Sequence, residues 1–357
     1  MSSAGSGSAK IHRRGWIDYA RGIVIIYVVY RHALTGLLGA GVNIKNAIYL
    51  VQESSMPVFF IVSGIFIRSS ALKRGLDTFV RFKFESLMYP YFVWATIHLS
   101  IQIFFSHYSN YAKGVEYYGY LFTFPRAIDQ FWYLYALFAT MIVFATLNFK
   151  LLKFNVPLNV VVAIGLYVSS YFIKTDYFSL HDIAFYYPFL VFGFLIADAL
   201  MPVDSTFFKG KWLLYTLPIF IVLQIYWRWQ YPDTNRLNEL DFIGFVAFVP
   251  ITIIGALLIF IFSYHLDERN WLKPLRFIGS HSLYIYIMHL IFTSGIRMVF
   301  LKLYPQAPPL LMLLVIMAGG IFIPIVLYKT LMQLGFKALF EPPLAVKKLI
   351  FWKHKPL

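Results

Sequence analysis

Ten apolar stretches, separated by short polar or Pro/Gly-containing punctuation, dominate this chain of 357 residues. They fall at about 16–39, 47–67, 84–106, 131–149, 156–173, 183–201, 211–230, 242–264, 276–301 and 309–332. A helix of about 20 such residues crosses the hydrocarbon core of a bilayer. The pattern therefore predicts an all-α, polytopic membrane bundle of about ten transmembrane helices. Composition agrees. Hydrophobic residues make up 60 % of the chain and charged residues 13 %, against roughly 25 % charged in soluble domains. No water-soluble core absorbs that much apolar surface, so a soluble globular enzyme, a disordered chain and a nucleic-acid-binding domain are excluded, despite a net charge of +15. The absence of cysteine removes disulfides, thiolate catalysis and Cys-ligated metals.

Residues 1–15 are rich in Ser, Gly and Ala and read as a disordered cytoplasmic tail; 16–335 form one membrane-embedded domain, and 336–357 a basic cytoplasmic tail. Arg13 and Arg14 before an apolar run resemble the start of a signal peptide. No small-residue cleavage site follows, so the run is a first span. The stretch Asp176 to Asp182 barely separates the fifth and sixth runs, which leaves nine spans as the alternative count. Charge decides between them. Twenty Lys and Arg fall on one set of alternate connections and seven on the other, and the richer side faces the cytoplasm. Ten spans with both termini cytoplasmic fit; nine would put the basic tail outside.

Ionisable groups at membrane depth are functional candidates by default, because they are costly unless paired or hydrated. They are Arg21, Arg31, His32, Glu53, His98, His289 and Arg297. Arg21 and His32 are eleven residues apart, within about 20° of three full turns, so they share one helix face about 16 Å apart along the axis. The second span brings Glu53 to the depth of His32, where it either pairs with Arg31 or orients the imidazole. His98 reaches a similar level from the third span, and His289 lies mid-membrane; a lone intramembrane His is as readily a hydrogen-bonded packing residue. Metal-ligand spacing is lacking: no His pair at i, i+4 accompanies an acid.

The first span, Trp16-Ile17-Asp18-Tyr19-Ala20-Arg21-Gly22-Ile23 followed by Tyr30-Arg31-His32-Ala33, resembles the opening helix of the acyltransferase-3 family. That helix carries an Asp, an Arg-Gly pair and a His eleven residues after the Arg. Met56 to Gly64, with Phe59-Phe60 before Ser63-Gly64, is similar to the second-helix signature. Tyr89-Pro90-Tyr91, Phe131-Trp132-Tyr133-Leu134 and Phe277-Ile278-Gly279-Ser280 through His289 also fit, in family order. In place of the family's Arg-x-x-Arg at the third helix this chain has Arg81-Phe82-Lys83-Phe84-Glu85-Ser86.

The resemblance implies an integral membrane O-acyltransferase of the bacterial inner membrane, most often an O-acetyltransferase. Its donor would be cytoplasmic acetyl-CoA or another acyl-CoA, with no bound cofactor and no metal. Its acceptor would be a lipid-linked or polymeric glycan: lipopolysaccharide O-antigen, capsule or exopolysaccharide. Physical chemistry gives the same outline. Arg21, Lys73, Arg74, Arg81 and Lys83 at the cytoplasmic edge can hold donor phosphates, or instead anionic lipid headgroups. His32 is the expected general base, with Glu53 orienting or balancing it. Arg31, Ser63, His98 and His289 are accessory candidates, Ser63 as a hydroxyl donor or as a helix-packing residue. Two rivals share the span pattern: an exporter or flippase of a glycan precursor, whose repeat symmetry is missing here, and a glycan polymerase, which calls for larger outer loops.

Overall fold

The computed structural model describes residues 15–42, 52–105, 113–200, 206–231 and 240–350. In chain order its helices are α1 (Gly15–Gly39), α2 (Gln52–Arg74), α3 (Leu76–Lys83), α4 (Tyr89–Phe104), α5 (Tyr117–Thr123), α6 (Trp132–Leu147), α7 (Val156–Phe172), α8 (Leu180–Leu200), α9 (Lys211–Gln230), α10 (Phe242–Glu268), α11 (Lys273–Ser280), α12 (Ser282–Leu303), α13 (Pro309–Gln333) and α14 (Leu344–Ile350). No strand occurs among the described residues. Seven helices there are long and apolar enough to cross a membrane: α1, α2, α6 with its flanking turns, α8 with the turn before it, α10, α12 and α13. The chain is a polytopic helical membrane protein. All of the expected tail at 1–15 except Gly15 lies outside the described residues.

Local chemistry explains where helices depart from the apolar runs. The third run is preceded by α3 and joined to it through a π-helical turn, Phe84–Met88. Pro90 opens α4. Proline has no N–H to donate and crowds the carbonyl four residues back, so the backbone widens there rather than continuing as regular α-helix. The ninth run breaks at His281 (φ −106°, ψ 10°), leaving the short α11 before α12. Between α7 and α8, Phe178 and Ser179 take left-handed backbone (both φ 52°). The chain turns at that point, and the two runs are separate helices packed on one another.

The centre of the bundle is α1. It packs against α2, α10, α11, α12 and α13. One of its neighbours, α11, comes close enough to need glycine on both sides of the contact. A Cβ on Gly22 would collide with the carbonyl oxygen of Leu275 on α11, and one on Gly279 with that of Asp18 on α1. The same device joins α2 and α8: Gly64 faces the carbonyl of Leu190, and Gly193 that of Ile61. Residues after α13 dock back on the bundle. Trp94 Nε1 donates to Leu339 O (2.9 Å), and Lys347 pairs with Glu85 (2.9 Å).

Candidate active site

Where α1 ends and α2 begins, the bundle forms a partly open cavity of about 510 Å³. Its wall takes Arg31 and His32 from α1 and Glu53 and Ser55 from α2. Arg126, Gln130 and Trp132 come from the segment around two 3₁₀ turns, Pro125–Ala127 and Asp129–Phe131. Tyr186, Trp227 and Tyr286 come from α8, α9 and α12.

His32 lies beside His289, with ring centroids 5.1 Å apart. His289 is fully buried. Its Nδ1 faces two backbone carbonyls, Tyr286 O at 2.7 Å and Ile285 O at 3.2 Å. A carbonyl only accepts, so Nδ1 carries the proton and Nε2 keeps the lone pair. That Nε2 is buried without a hydrogen-bond partner.

Glu53 stands in the first turn of α2 and is buried. Arg228 donates to its carboxylate through Nη2, and Gln224 through Nε2 at 3.1 Å. Both partners sit on α9, about 170 residues on, where depth along the first two spans could not find them. A second buried pair closes the cavity's rim. Arg126 engages Asp182 through Nε (3.1 and 3.2 Å) and Nη2, and its guanidinium stacks on Trp132 at 3.9 Å. Asp182 is completely buried. Planar, two-pronged contacts of this kind fix orientation as well as charge.

His98 is buried outside the cavity wall, 3.5 Å from Asp129. Asp129 also receives Lys113 Nζ and Gln102 Nε2, each at 2.8 Å. Ser63 is not in the wall either; it precedes Gly64, where α2 meets α8. Arg297 on α12 lies over Gly36 of α1.

The acyltransferase-3 family model, described as an acyltransferase domain, matches residues 14–329. The chain belongs to the acyltransferase-3 family. No curated protein and no solved structure matches it.

The other end of α1 in this membrane acyltransferase is basic. Arg21, the C-terminal turn of α2 and the end of α3 converge there. Arg74 donates to Ser70 O (3.2 Å) and Ser70 Oγ (3.0 Å), and its guanidinium covers the Phe82 ring at 4.0 Å. Lys83 lies 5.5 Å from the Phe79 ring centre and 5.4 Å from that of Phe82. Burial pushes the Lys83 ammonium down to about 8, and the neighbouring charges of Arg74 and Arg21 push the same way. Arg81 is half-buried and Lys73 exposed. Among the described residues no group of three or more His, Cys, Asp or Glu could hold a metal ion.

The structure thus brings His32, Arg31 and Glu53 into one cavity, adds His289 at its edge, and gathers Arg21, Arg74 and Lys83 at the far end of α1. Sequence reasoning missed Arg126, Asp182, Arg228 and Gln130. The first three are polar residues at or near the ends of apolar runs, a signal that marks an interface without naming a partner.

Proposed function

We propose that this protein is an O-acetyltransferase of the bacterial inner membrane, with ten spans and both termini cytoplasmic. It moves the acetyl group of cytoplasmic acetyl-CoA to a hydroxyl of an envelope glycan, either lipid-linked or polymeric. Arg21, Arg74 and Lys83, with Arg81 and Lys73 nearby, bind the anionic end of the donor through charge-assisted hydrogen bonds. The pantetheine arm then runs along the roughly 16 Å to His32. There the imidazole takes the proton of the acceptor hydroxyl as its oxygen attacks the thioester carbon. Glu53, held by Arg228 and Gln224, shapes the cavity wall beside the base, and His289 packs against the base to fix its ring.

The observation that carries this reading is the placement of His32 in the wall of a partly open cavity, with a cation cluster at the opposite end of the same helix. Purified protein incubated with acetyl-labelled acetyl-CoA and envelope membranes should release CoA and label the glycan. No CoA release, together with movement of unmodified glycan precursor across vesicles, would support an exporter instead. The topology has its own test, made clean by the absence of native cysteine. Single cysteines at Ser69 and Glu116 should react with an impermeant reagent from opposite sides. Equal labelling of both in intact cells contradicts the orientation.

A further inference from the structure

Gln130 sits in the 3₁₀ turn Asp129–Phe131 and is 2 % exposed. Its backbone is fixed from three sides. The Tyr286 hydroxyl donates to its carbonyl oxygen. Asp129, just before it, takes a left-handed backbone (φ 46°), a conformation that persists only where the surroundings hold it. Here Lys113 and Gln102 hold the Asp129 carboxylate, each at 2.8 Å. Phe131, just after it, is fully buried with its ring against Tyr91 and His98.

The side-chain amide, by contrast, holds nothing. Oε1 and Nε2 are both buried, and neither has a hydrogen-bond partner. Buried amides are nearly always bonded, because an unmade bond forfeits the solvation that the group had in water. Gln130 shares the cavity wall with His32 and Tyr286. A rigidly mounted, unsatisfied amide beside a candidate base is what a site looks like before its ligand supplies the missing bonds.

We propose that Gln130 is a catalytic residue whose side-chain N–H donates to the carbonyl oxygen of the acyl thioester. This rests on the acyltransferase reading with His32 as base. The acceptor hydroxyl oxygen bonds to the carbonyl carbon while its proton passes to His32, and the carbonyl electron pair moves onto oxygen. Nε2–H stabilises the oxyanion so formed. When the intermediate collapses, the carbon–sulfur bond breaks and the CoA thiolate leaves, taking the proton from His32. A donor that is already oriented and desolvated contributes most where charge develops. Oε1 accepts from a second hydroxyl of the acceptor, so one amide aligns both substrates.

The test uses the full chain in detergent with acetyl-CoA and envelope membranes. Gln130→Met keeps the shape of the side chain and removes its polar atoms. We expect kcat to fall about a hundredfold, with the KM for acetyl-CoA unchanged and the thermal midpoint equal or higher, since a buried unsatisfied group has gone. Activity within about threefold of the parent in Gln130→Met overturns the proposal. So does a fall in thermal midpoint that tracks the lost activity, which assigns the amide a structural role. If the parent protein releases no CoA, the reading of the reaction itself has failed, and the proposal falls with it.

Discussion

At the His32 end of α1 the buried charges are matched inside the protein: Glu53 by Arg228, Asp182 by Arg126. At the Arg21 end cations gather close enough that Arg74 and Arg21 help depress the Lys83 ammonium. Both ends belong to one helix and one bundle, and both hold internal pairs, Lys347 with Glu85 and Arg276 with Asp267 at the second. Only the second also groups like charges around Lys83. Self-contained pairs at the cavity shape a site for a neutral group, a sugar hydroxyl and a thioester carbonyl. Converging cations suit an anion arriving from outside the fold. Charges at the cavity end should therefore matter to stability, and those at the basic end to ligand affinity.

The contrast breaks most visibly at Asp182. Removing one member of a buried pair leaves the other uncompensated, typically at about 3–5 kcal/mol. Because the Arg126 side chain is 32 % exposed, Asp182→Ala should cost about 3 kcal/mol, read as a lower thermal midpoint in detergent. An unchanged midpoint would mean that the pair is not part of the architecture. At the other end Arg21→Ala should extract from membranes as well as the parent, with acetyl-CoA binding weaker by about tenfold, the effect of losing a charged hydrogen bond of about 1.5 kcal/mol. A loss of folded protein without a change in affinity would reverse the comparison.

Lys83 sharpens it through pH. Its pKa lies below the ordinary lysine value, at about 8, so its charge is present below that pH and lost as pH rises through it. Acetyl-CoA affinity should fall a few-fold between pH 7 and pH 9, and Lys83→Met should remove that dependence. A Lys83→Met protein with the same pH profile as the parent would take Lys83 out of the donor site. The smallest effect belongs to Lys73, which is exposed at the end of α2. Exposed charges interact weakly in water, so Lys73→Ala should change affinity by about twofold or less.

Much of this architecture is legible in the sequence because membrane burial imposes length and apolarity on each helix separately. Among the described residues each apolar run falls on helix, seven of these helices being long and apolar enough to cross a membrane, and the shared face of Arg21 and His32 follows from helical periodicity alone. The glycines of Arg21-Gly22, Ser63-Gly64 and Phe277-Ile278-Gly279 take their meaning only from the neighbour each one admits. Pairings are harder. Glu53 meets Arg228 and Arg126 meets Asp182 across 175 and 56 residues, and nothing local to either residue encodes its partner. Gln130 was invisible for another reason: its significance lies in the bonds its amide does not make, a property of packing rather than of sequence pattern. The helix break at His281 and the π turn before Tyr89 fall inside or beside runs whose hydropathy continues across them.

The central claim is that His32 is the base and that the donor site lies at the other end of α1. Its most direct test is acetyl transfer and acetyl-CoA binding measured side by side in His32→Gln and His289→Gln. An amide keeps hydrogen bonds but takes no proton, so His32→Gln should lose at least about a hundredfold in transfer while binding acetyl-CoA as the parent does. His289→Gln should show the milder loss of a packing neighbour. Near-normal transfer in His32→Gln with none in His289→Gln would move the base to His289 and contradict the account.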